Sequence, residues 1–270
     1  RPLKVLIATH NLTAFEGAPK IIQDVATGLQ KQGRAITLVT APKHGPAAEV
    51  YEAAGIRIHI PKLPECEHFI DGQWTPKEYT RTLNVLTRLI REQKPDVVLA
   101  NTLGLFPYVD AAVRVGMPAI LAIQESYSAD LMQRLFSPFG LWRCERALQF
   151  ASRVIFASRS CAELYSRLNI RHHFEVIHNG LERKPFDEYI GMVSREQAIG
   201  QLPNPAARHR FLAVGTICER KAQHIIVEAA ARVAEQRRDG PRRSHVDNLR
   251  GNRREPGVKM LRGFDDQQAL

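Results

Sequence analysis

A polar segment, Gln124–Ser128 (QESYS), directly follows the fifth of the apolar runs that punctuate the sequence. The carboxyl ends of parallel strands form the edge of a sheet at which ligands gather. Polar side chains at this edge are typical of catalytic or substrate-holding groups, so we predict a functional role for Glu125. The alternative is helix capping, in which Ser126 or Ser128 satisfies free amides at the start of the next helix.

The loop after the first apolar run, His10 to Pro19, contains Glu16-Gly17-Ala18 just before a helical pattern. A glycine there lets the backbone approach a bound group closely, at the point where free helix amides favour anions. The alternative is an ordinary turn between a strand and a helix. We therefore predict that this loop contacts a ligand.

Two cations, Arg220 and Lys221, stand at the start of a late helical pattern, after Gly215-Thr216. Positive side chains are unfavourable at a helix amino terminus unless an anion binds between them. The segment therefore predicts a phosphate or diphosphate site, with Lys221 as a point charge and Arg220 as a fork. The alternative is a pair of solvated surface charges.

Two classes of site are disfavoured by what the sequence lacks. A dinucleotide site needs a G-x-G-x-x-G turn and an acidic residue after the second strand, but the first loop has one glycine and the second strand ends Thr40-Ala41-Pro42. Neither the cysteines nor the histidines have metal-ligand spacing. We interpret His172-His173 and His224 as surface residues and His178 as a strand-end residue that lines a cleft.

Short apolar runs alternate with helical patterns, which predicts an α/β fold: a Rossmann-like, doubly wound parallel sheet covered on both faces. Pro19 is expected at a first helical position, and Gly33 at the end of that helix. The predicted strands are Lys4–Thr9, Ala35–Thr40, Ile56–Ile60, Asp96–Ala100, Ala119–Ile123, Arg153–Ala157 and Phe174–Ile177.

The alternation is interrupted after Asn179-Gly180, by Leu181 to Gly191 with Pro185 and mixed charges, so we place a domain boundary at 181/182. A short helix near Ser194–Gly200, a strand Arg210–Val214 and a helix then open a second Rossmann-like domain over 182–236. Residues 237–270 have no apolar period and are expected to be poorly ordered. The second domain is thus expected to be incomplete, as a truncated gene or a shifted reading frame would leave it.

The 270 residues carry a formal net charge of +10. Such a balance suits an anionic small molecule, an anionic membrane surface or non-specific contact with nucleic acid. The arginine-rich tail lacks the interleaved aromatic residues of a nucleic-acid site, so we expect no specific nucleic-acid partner. No run approaches the ~18 apolar residues of a membrane span. The four separated cysteines are interpreted as free thiols, which indicates a reducing, cytoplasmic compartment, with peripheral membrane contact as an option.

Several segments together resemble family 4 of the glycosyltransferases, the retaining enzymes of the glycosyltransferase-B fold. The resemblance covers residues 3 to 236 in order and spacing. It rests on Pro95–Val98 leading to Asn101-Thr102, Ile123–Ser126, Ala151–Ser158 (ASRVIFAS), Val176–Leu181 (VIHNGL), Val214–Thr216 and Glu219–Lys221.

The resemblance implies transfer of a sugar from a nucleotide-sugar donor to a carbohydrate or lipid-linked acceptor, without a cofactor and without a metal. The domain 1–181 would bind the acceptor, and the second domain would bind the donor, with its diphosphate in the cleft between them. Glu16, Gly17, Ala18 and Ser126 would then contact acceptor or sugar. Gly215, Thr216, Arg220 and Lys221 would bind the diphosphate.

Two departures from the family pattern bear on activity. Many relatives have histidine where this chain has Gln124, a candidate catalytic position next to Glu125, and glutamine neither accepts a proton nor becomes cationic. The family's paired glutamates, eight residues apart in the second domain, have no counterpart beyond Gln236. Besides a glycosyltransferase, the alternatives are a non-catalytic remnant that binds nucleotide or acceptor, and a nucleotide-sugar epimerase of the same fold.

Overall fold

The computed structural model describes residues 2–13, 16–33, 36–41, 44–63, 72–180, 183–201, 211–215, 217 and 221–238. The chain divides into two compact units, Arg1–Leu181 and Glu182–Leu270. Thr216, Arg220 and the expected tail from residue 239 onward lie outside the described residues.

The first unit is built on a parallel sheet, as predicted. Its seven strands run in the order β3-β2-β1-β4-β5-β6-β7, and every neighbouring pair is parallel. The direction of winding reverses between β1 and β4, which makes that junction a topological switch point. The strands are β1 (Val5–Ala8), β2 (Ile36–Thr40), β3 (Ile58–His59), β4 (Val97–Asn101), β5 (Ala119–Ile123), β6 (Arg153–Phe156) and β7 (Phe174–Val176).

Helices connect the strands of the first unit. They are α1 (Gly17–Lys31), α2 (Ala48–Ala53), α3 (Pro76–Gln93), α4 (Phe106–Arg114), α5 (Ala129–Leu135), α6 (Pro138–Phe150) and α7 (Arg159–Leu164). Short 3₁₀ turns span Leu103–Leu105 and Ser166–Leu168. Thr75 caps α3 in a capping box with Glu78, since each residue's side chain bonds the other's backbone amide.

The ends of α1 differ partly from expectation. Glu16 is the N-cap, so Pro19 is the third helical residue, and its predicted first position is wrong. Proline is tolerated there because the first-turn amides have no intrahelical acceptor in any case. At the other end Gly33 has φ 72°, just past the C-cap Gln32, as predicted.

Both faces of the sheet are covered, because alternate residues of one strand enter different clusters of the core. Leu6 and Ala8 of β1 pack in a large cluster with α3, α4 and α6. Val5 and Ile7 pack in a second cluster with residues of α1 and α2. Side chains alternate in this way along any strand, and burial on both faces explains why the strands are almost continuously apolar.

The second unit contains α8 (Lys184–Met192), α9 (Arg195–Gly200) and α10 (Gln223–Arg238). α9 and α10 confirm predicted helices, whereas α8 lies where an interruption was expected; Pro185 is accommodated in its first turn. The predicted strand Arg210–Val214 is wrong over its described part, since residues 211–214 form no regular strand. Their apolar side chains are exposed, and a strand without a paired neighbour is not stable.

Among the described residues, no helix is both long enough and apolar enough to cross a lipid bilayer.

Candidate functional site

Three side-chain amides join the carboxyl ends of β4, β5 and β7. Asn179 Nδ2 donates to Gln124 Oε1 at 3.0 Å, and Gln124 Nε2 donates to Asn101 Oδ1 at 3.3 Å. Asn101 Nδ2 in turn donates to the Ala18 carbonyl in the first turn of α1, at 2.9 Å. We call Asn101, Gln124 and Asn179 the amide chain. It brings the predicted residues Gln124 and Ala18 to one edge of the sheet, at the switch point.

Glu125 is held from both sides. Its Oε2 accepts from the backbone amides of Leu103, at 3.0 Å, and Gln124, at 3.1 Å. Its carbonyl accepts from Cys161 Sγ and from the Tyr165 hydroxyl. Burial raises the pKa of the Glu125 carboxyl, while the two amides and the charge of His10 act in the opposite direction. The carboxylate therefore has a fixed position beside the amide chain.

Thr102, between β4 and the 3₁₀ turn, has a strained backbone. Its φ is 96° although it is β-branched and buried, a conformation that costs energy for such a residue. Its amide donates to the Ala122 carbonyl at 2.8 Å. This geometry turns the chain so that the Leu103 amide reaches Glu125. Strain of this kind is concentrated at functional sites.

The first loop contributes a second carboxylate. Glu16 Oε2 accepts from Asn11 Nδ2 at 2.8 Å and lies 3.2 Å from His10 Nε2. Because an ionised carboxylate only accepts, this contact places the His10 proton on Nε2. His10 Nδ1 is buried and has no hydrogen-bond partner among the described residues. The side chain of Glu16 is 53% exposed, and that of His10 is 15% exposed.

The remaining predicted residues of the first unit have simpler surroundings. A Cβ added at Gly17 would meet no described atom within 4 Å, so the backbone there faces open space. Ser128, not Ser126, caps α5, since its side chain accepts from the Leu131 amide. Ser126 is exposed, and its side chain opposes the rise that burial causes in the pKa of the Cys161 thiol.

In the second unit, Lys221 lies close to Gly215, which is six residues earlier in the chain. Gly215 has φ 152°, and a Cβ added there would lie 3.7 Å from Lys221 Cδ. Lys221 is exposed and precedes α10 by two residues. Thr216 and Arg220 lie outside the described residues. A diphosphate site in this segment stays a prediction.

Sequence reasoning did not single out His10, Asn11 or Asn179 as site residues, although each follows a strand. Their position just after a strand is the sequence feature that could have identified them. His178 follows β7, where Nδ1 lies 3.0 Å from the Ala157 carbonyl, and His224 is exposed as expected. His173 corrects a prediction: it is buried, with Nε2 2.9 Å from the Leu148 carbonyl, because the turn before β7 packs against α6.

Metal-binding and disulfide chemistry find no support in the part of the chain that the structure describes. It holds no group of three or more histidine, cysteine, aspartate or glutamate side chains arranged to bind a metal ion. Cys144 and Cys161 are buried free thiols. Cys66 and Cys218 lie outside the described residues.

Comparison with solved structures finds similar folds in crystal structures of Anabaena Alr3699/HepE. The complex with UDP-glucose has a TM-score of 0.60 and 18% sequence identity, over 85% of this chain and 57% of that chain. The complex with UDP and glucose has a TM-score of 0.61 and 18% identity, over 87% and 59%. At this identity the likeness shows the fold, and the chain spans less than two thirds of the Anabaena protein's length.

A comparison with curated protein sequences finds no match. A family model does match: the one described as "Glycosyl transferase 4-like domain" covers residues 16–180, more than half of the chain. The matched span contains Glu16, Glu125 and all three residues of the amide chain. The chain therefore belongs to the glycosyl transferase 4-like family.

Proposed function

We propose that this protein is a glycosyltransferase that moves a sugar from a nucleotide-sugar donor to an acceptor, with retention of configuration, and that the first unit binds the acceptor and the transferred sugar. Its family supports the reaction class. The observation that carries the proposal is the amide chain beside Glu125, at the switch point of a parallel sheet. The crystal structures of the Anabaena protein with UDP-glucose and UDP support a uridine nucleotide as the donor's leaving group.

The amide chain and its neighbours have the chemistry of a sugar site. Sugar hydroxyl groups both donate and accept, and an amide offers both functions from one planar group. Gln124 and Asn179 are at least partly exposed, so a ligand can reach them, whereas Asn101 is buried and anchors them. Glu16 and Ser126 are exposed at the same edge. We assign these side chains to the sugar and the acceptor, with the backbone of Gly17 and Ala18.

In the reaction, the bond between the anomeric carbon and the diphosphate oxygen breaks, and the electron pair leaves with the diphosphate. The acceptor oxygen forms the new bond to that carbon, and its proton passes to an oxygen of the departing diphosphate. We assign Lys221, with Arg220 and the amides of Gly215 and Thr216, to the diphosphate, because a cation offsets the charge that develops there. This transfer uses no cofactor besides the donor substrate.

His10 places an imidazole beside both carboxylates of the site. Its Nε2–H donates to Glu16, and His10 lies near enough to Glu125 for its charge to lower that carboxyl's pKa. We propose that His10 positions the exposed Glu16 carboxylate at this edge of the site.

The acceptor is proposed to be a carbohydrate or lipid-linked compound, and the net charge of +10 supports contact with an anionic membrane surface. Sedimentation with vesicles tests this part. Binding should require anionic lipid and weaken as salt rises; binding that ignores both lipid charge and salt would contradict it.

The central test uses the full chain with UDP-glucose as the donor. Calorimetry measures its Kd, and ¹H NMR follows the sugar released to water or to added acceptors. We expect Gln124→Ala and Asn101→Ala to weaken donor binding about tenfold, which corresponds to about 1.4 kcal/mol. Glu92→Gln, an exposed change in the last turn of α3, is the control and should leave the Kd unchanged.

Each outcome separates the candidate functions. Release of the sugar with the donor's anomeric configuration supports a retaining transferase. A converted sugar nucleotide without acceptor identifies an epimerase instead, and binding without turnover identifies a non-catalytic binding protein. If the chain binds no nucleotide sugar, or the site variants bind as well as the control, the proposed site is wrong.

The role of His10 has its own readout. His10→Ala removes the contact that holds the Glu16 carboxylate and should weaken UDP-glucose binding, whereas His224→Ala, on an exposed helix face, should leave the Kd unchanged. An unchanged Kd in the His10 variant would remove His10 from the proposed site.

A further inference from the structure

A cavity lies between α3 and α4, away from the amide chain. Its volume is about 340 Å³, and its lining consists of Asn84, Thr87, Arg88, Arg91 and Arg114. Arg91 and Arg114 stand in the last turns of helices that lead into β4 and β5. These turns lie at the amino ends of the strands, which is the edge opposite the candidate sugar site.

The lining residues form one continuous face. Positions 84, 87, 88 and 91 follow the i, i+3, i+4, i+7 spacing of a single stripe along α3. Arg114 reaches this stripe from α4, where its Nη1 donates to Asn84 Oδ1 at 3.1 Å. The cavity is therefore built by two helices whose relative position is fixed by their packing in the core.

The three guanidinium groups have no anionic partner in the part of the chain that the structure describes. Arg143, Arg153 and Arg167 of the first unit pair with carboxylates, whereas Arg88, Arg91 and Arg114 face one another around the cavity. Arg91 and Arg114 also stabilise the negative ends of their helices. That interpretation does not extend to Arg88, a turn earlier, nor to the meeting of three like charges around one cavity.

In the part of the chain that the structure describes, Thr87, which lines the cavity, has an unpaired hydroxyl, as does Thr82 of α3, which does not line it. Thr87 is 5% exposed, yet its Oγ1 has no hydrogen-bond partner among the described residues. A buried hydroxyl is normally satisfied, and a threonine within a helix commonly bonds a carbonyl of the preceding turn. An oxygen of a ligand in this cavity would accept the Thr87 proton.

We propose that this cavity binds a small phosphorylated compound through its phosphate group. A phosphate carries about −1.5 to −2 charges and three terminal oxygens, which matches three guanidiniums and one hydroxyl better than a carboxylate does. The cavity volume is larger than a phosphate group requires, and the remaining space could hold a group of about the size of a sugar ring. The phosphate comes from a soluble sugar phosphate or from a lipid headgroup.

The test measures binding of glucose 6-phosphate to the full chain by calorimetry, with hydrogen exchange to locate the ligand. We expect saturable binding, slower amide exchange in the peptide that covers residues 84–91, and at least a tenfold weaker Kd in the double variant Arg88→Gln/Arg114→Gln. The matched control Arg57→Gln/Arg171→Gln removes the same charge from two exposed arginines that lie outside α3 and α4. It should bind as the unaltered chain does.

Thr87→Val sharpens the test because it moves two readouts in different directions. The variant loses the hydrogen bond to the ligand, so the Kd should weaken severalfold. The free chain should unfold at the same or a higher urea concentration, because a buried hydroxyl without a partner is removed. Weaker binding together with a lower unfolding midpoint would indicate a structural role for Thr87 and contradict its assignment.

Vesicles of phosphatidylcholine with and without phosphatidic acid distinguish the two sources of phosphate. Binding to phosphatidic acid that glucose 6-phosphate does not displace assigns the cavity to a headgroup, provided that the double variant abolishes it. Equal binding by the double variant and the control, or no binding to either form of phosphate, overturns the proposal. UDP-glucose binding should be unchanged in the double variant, which keeps this site separate from the proposed donor site.

Discussion

The two units of the chain contain similar local signals but use their apolar side chains differently. In the first unit Leu86 and Phe156 are fully buried, whereas in the second Leu212 is 86% exposed and Ile226 lies on an exposed helix face. Helices form in both units, because a helix satisfies its own backbone. Regular strands appear only in the first unit's described residues, since a strand depends on its neighbours. Local pattern thus suffices for helices, while a sheet requires the rest of its layer.

The largest expected effect comes from truncating one apolar side chain in each unit. Phe156→Ala should lower the free energy of unfolding by about 4 kcal/mol, because it opens a cavity in a close-packed core. Ile226→Ala should change it by less than about 0.5 kcal/mol. Both tryptophans, Trp74 and Trp142, lie in the first unit, so urea unfolding followed by tryptophan fluorescence reports on that unit. Equal losses of stability in the two variants would contradict the proposed difference in packing between the units.

A buried ion pair of the first unit gives the next effect. Asp110 accepts from Arg143 Nε at 2.9 Å and from the Tyr79 hydroxyl, and burial raises the pKa of its carboxyl. Arg143→Met should cost about 3 kcal/mol near pH 8, where the variant retains an uncompensated buried carboxylate. The pKa of Asp110 rises further without the cation, so the cost should shrink as the pH falls and the carboxyl takes up a proton.

The control for that prediction is Arg167→Met. Arg167 pairs with Glu145 at the surface, and exposed pairs contribute about 0–1 kcal/mol. The comparison is made by urea unfolding at pH 5 and pH 8. A pH-independent cost of Arg143→Met would mean that packing, not the buried charge, determines its effect.

Two capping boxes allow the units to be compared with the same chemistry. Thr75 with Glu78 begins α3, and Ser194 with Gln197 begins α9. Thr75→Ala should lower the fluorescence-monitored stability by about 1 kcal/mol, because α3 is part of the core. Ser194→Ala should leave that value unchanged and instead speed amide exchange in residues 195–200. A fluorescence-monitored loss in the Ser194 variant would mean that the two units unfold together.

The smallest expected effect is a change in pH dependence at Glu125. Its folded-state pKa is raised, so the stability it contributes is present at low pH and is lost as the pH rises through that pKa. Glu125→Gln should therefore become more stable relative to the unaltered chain as the pH rises from 4 to 7. Glu228→Gln, on exposed α10, is the control and should show no such trend.

The sequence was sufficient to predict the seven strands of the first unit, because a run such as Ala119–Ile123 is apolar on both faces and bounded by turns. It also placed Glu125 and Ala18 at the edge that forms the candidate site. The links between them were not predictable, since the bonds from Gln124 to Asn101 and Asn179 depend on rotamers set by three separate strands. The strand expected over residues 210–214 failed because its apolar pattern carries no information about a pairing neighbour.

The arginine cavity shows a different limit of sequence analysis. The stripe on α3 is visible as spacing, but arginine at helical spacing is usually a solvated surface. Arg114 joins the stripe only because α3 and α4 pack together. The unsatisfied hydroxyl of Thr87 can be recognised only after all its neighbours have been placed.

The amide chain has a direction, and one backbone atom sets it. The Ala18 carbonyl can only accept, so Asn101 must turn its NH₂ group toward α1, and Gln124 and Asn179 must orient in the same sense. Asn179→Asp would reverse that order, because an aspartate oxygen would face Gln124 Oε1. Gln124 would rotate its amide to donate to the aspartate, and its oxygen would then face Asn101 Oδ1. Asn101 would rotate in turn and set its own oxygen against the Ala18 carbonyl. Exchanging one NH₂ group for oxygen beyond β7 would thus disturb the first turn of α1, on the far side of three intervening strand ends.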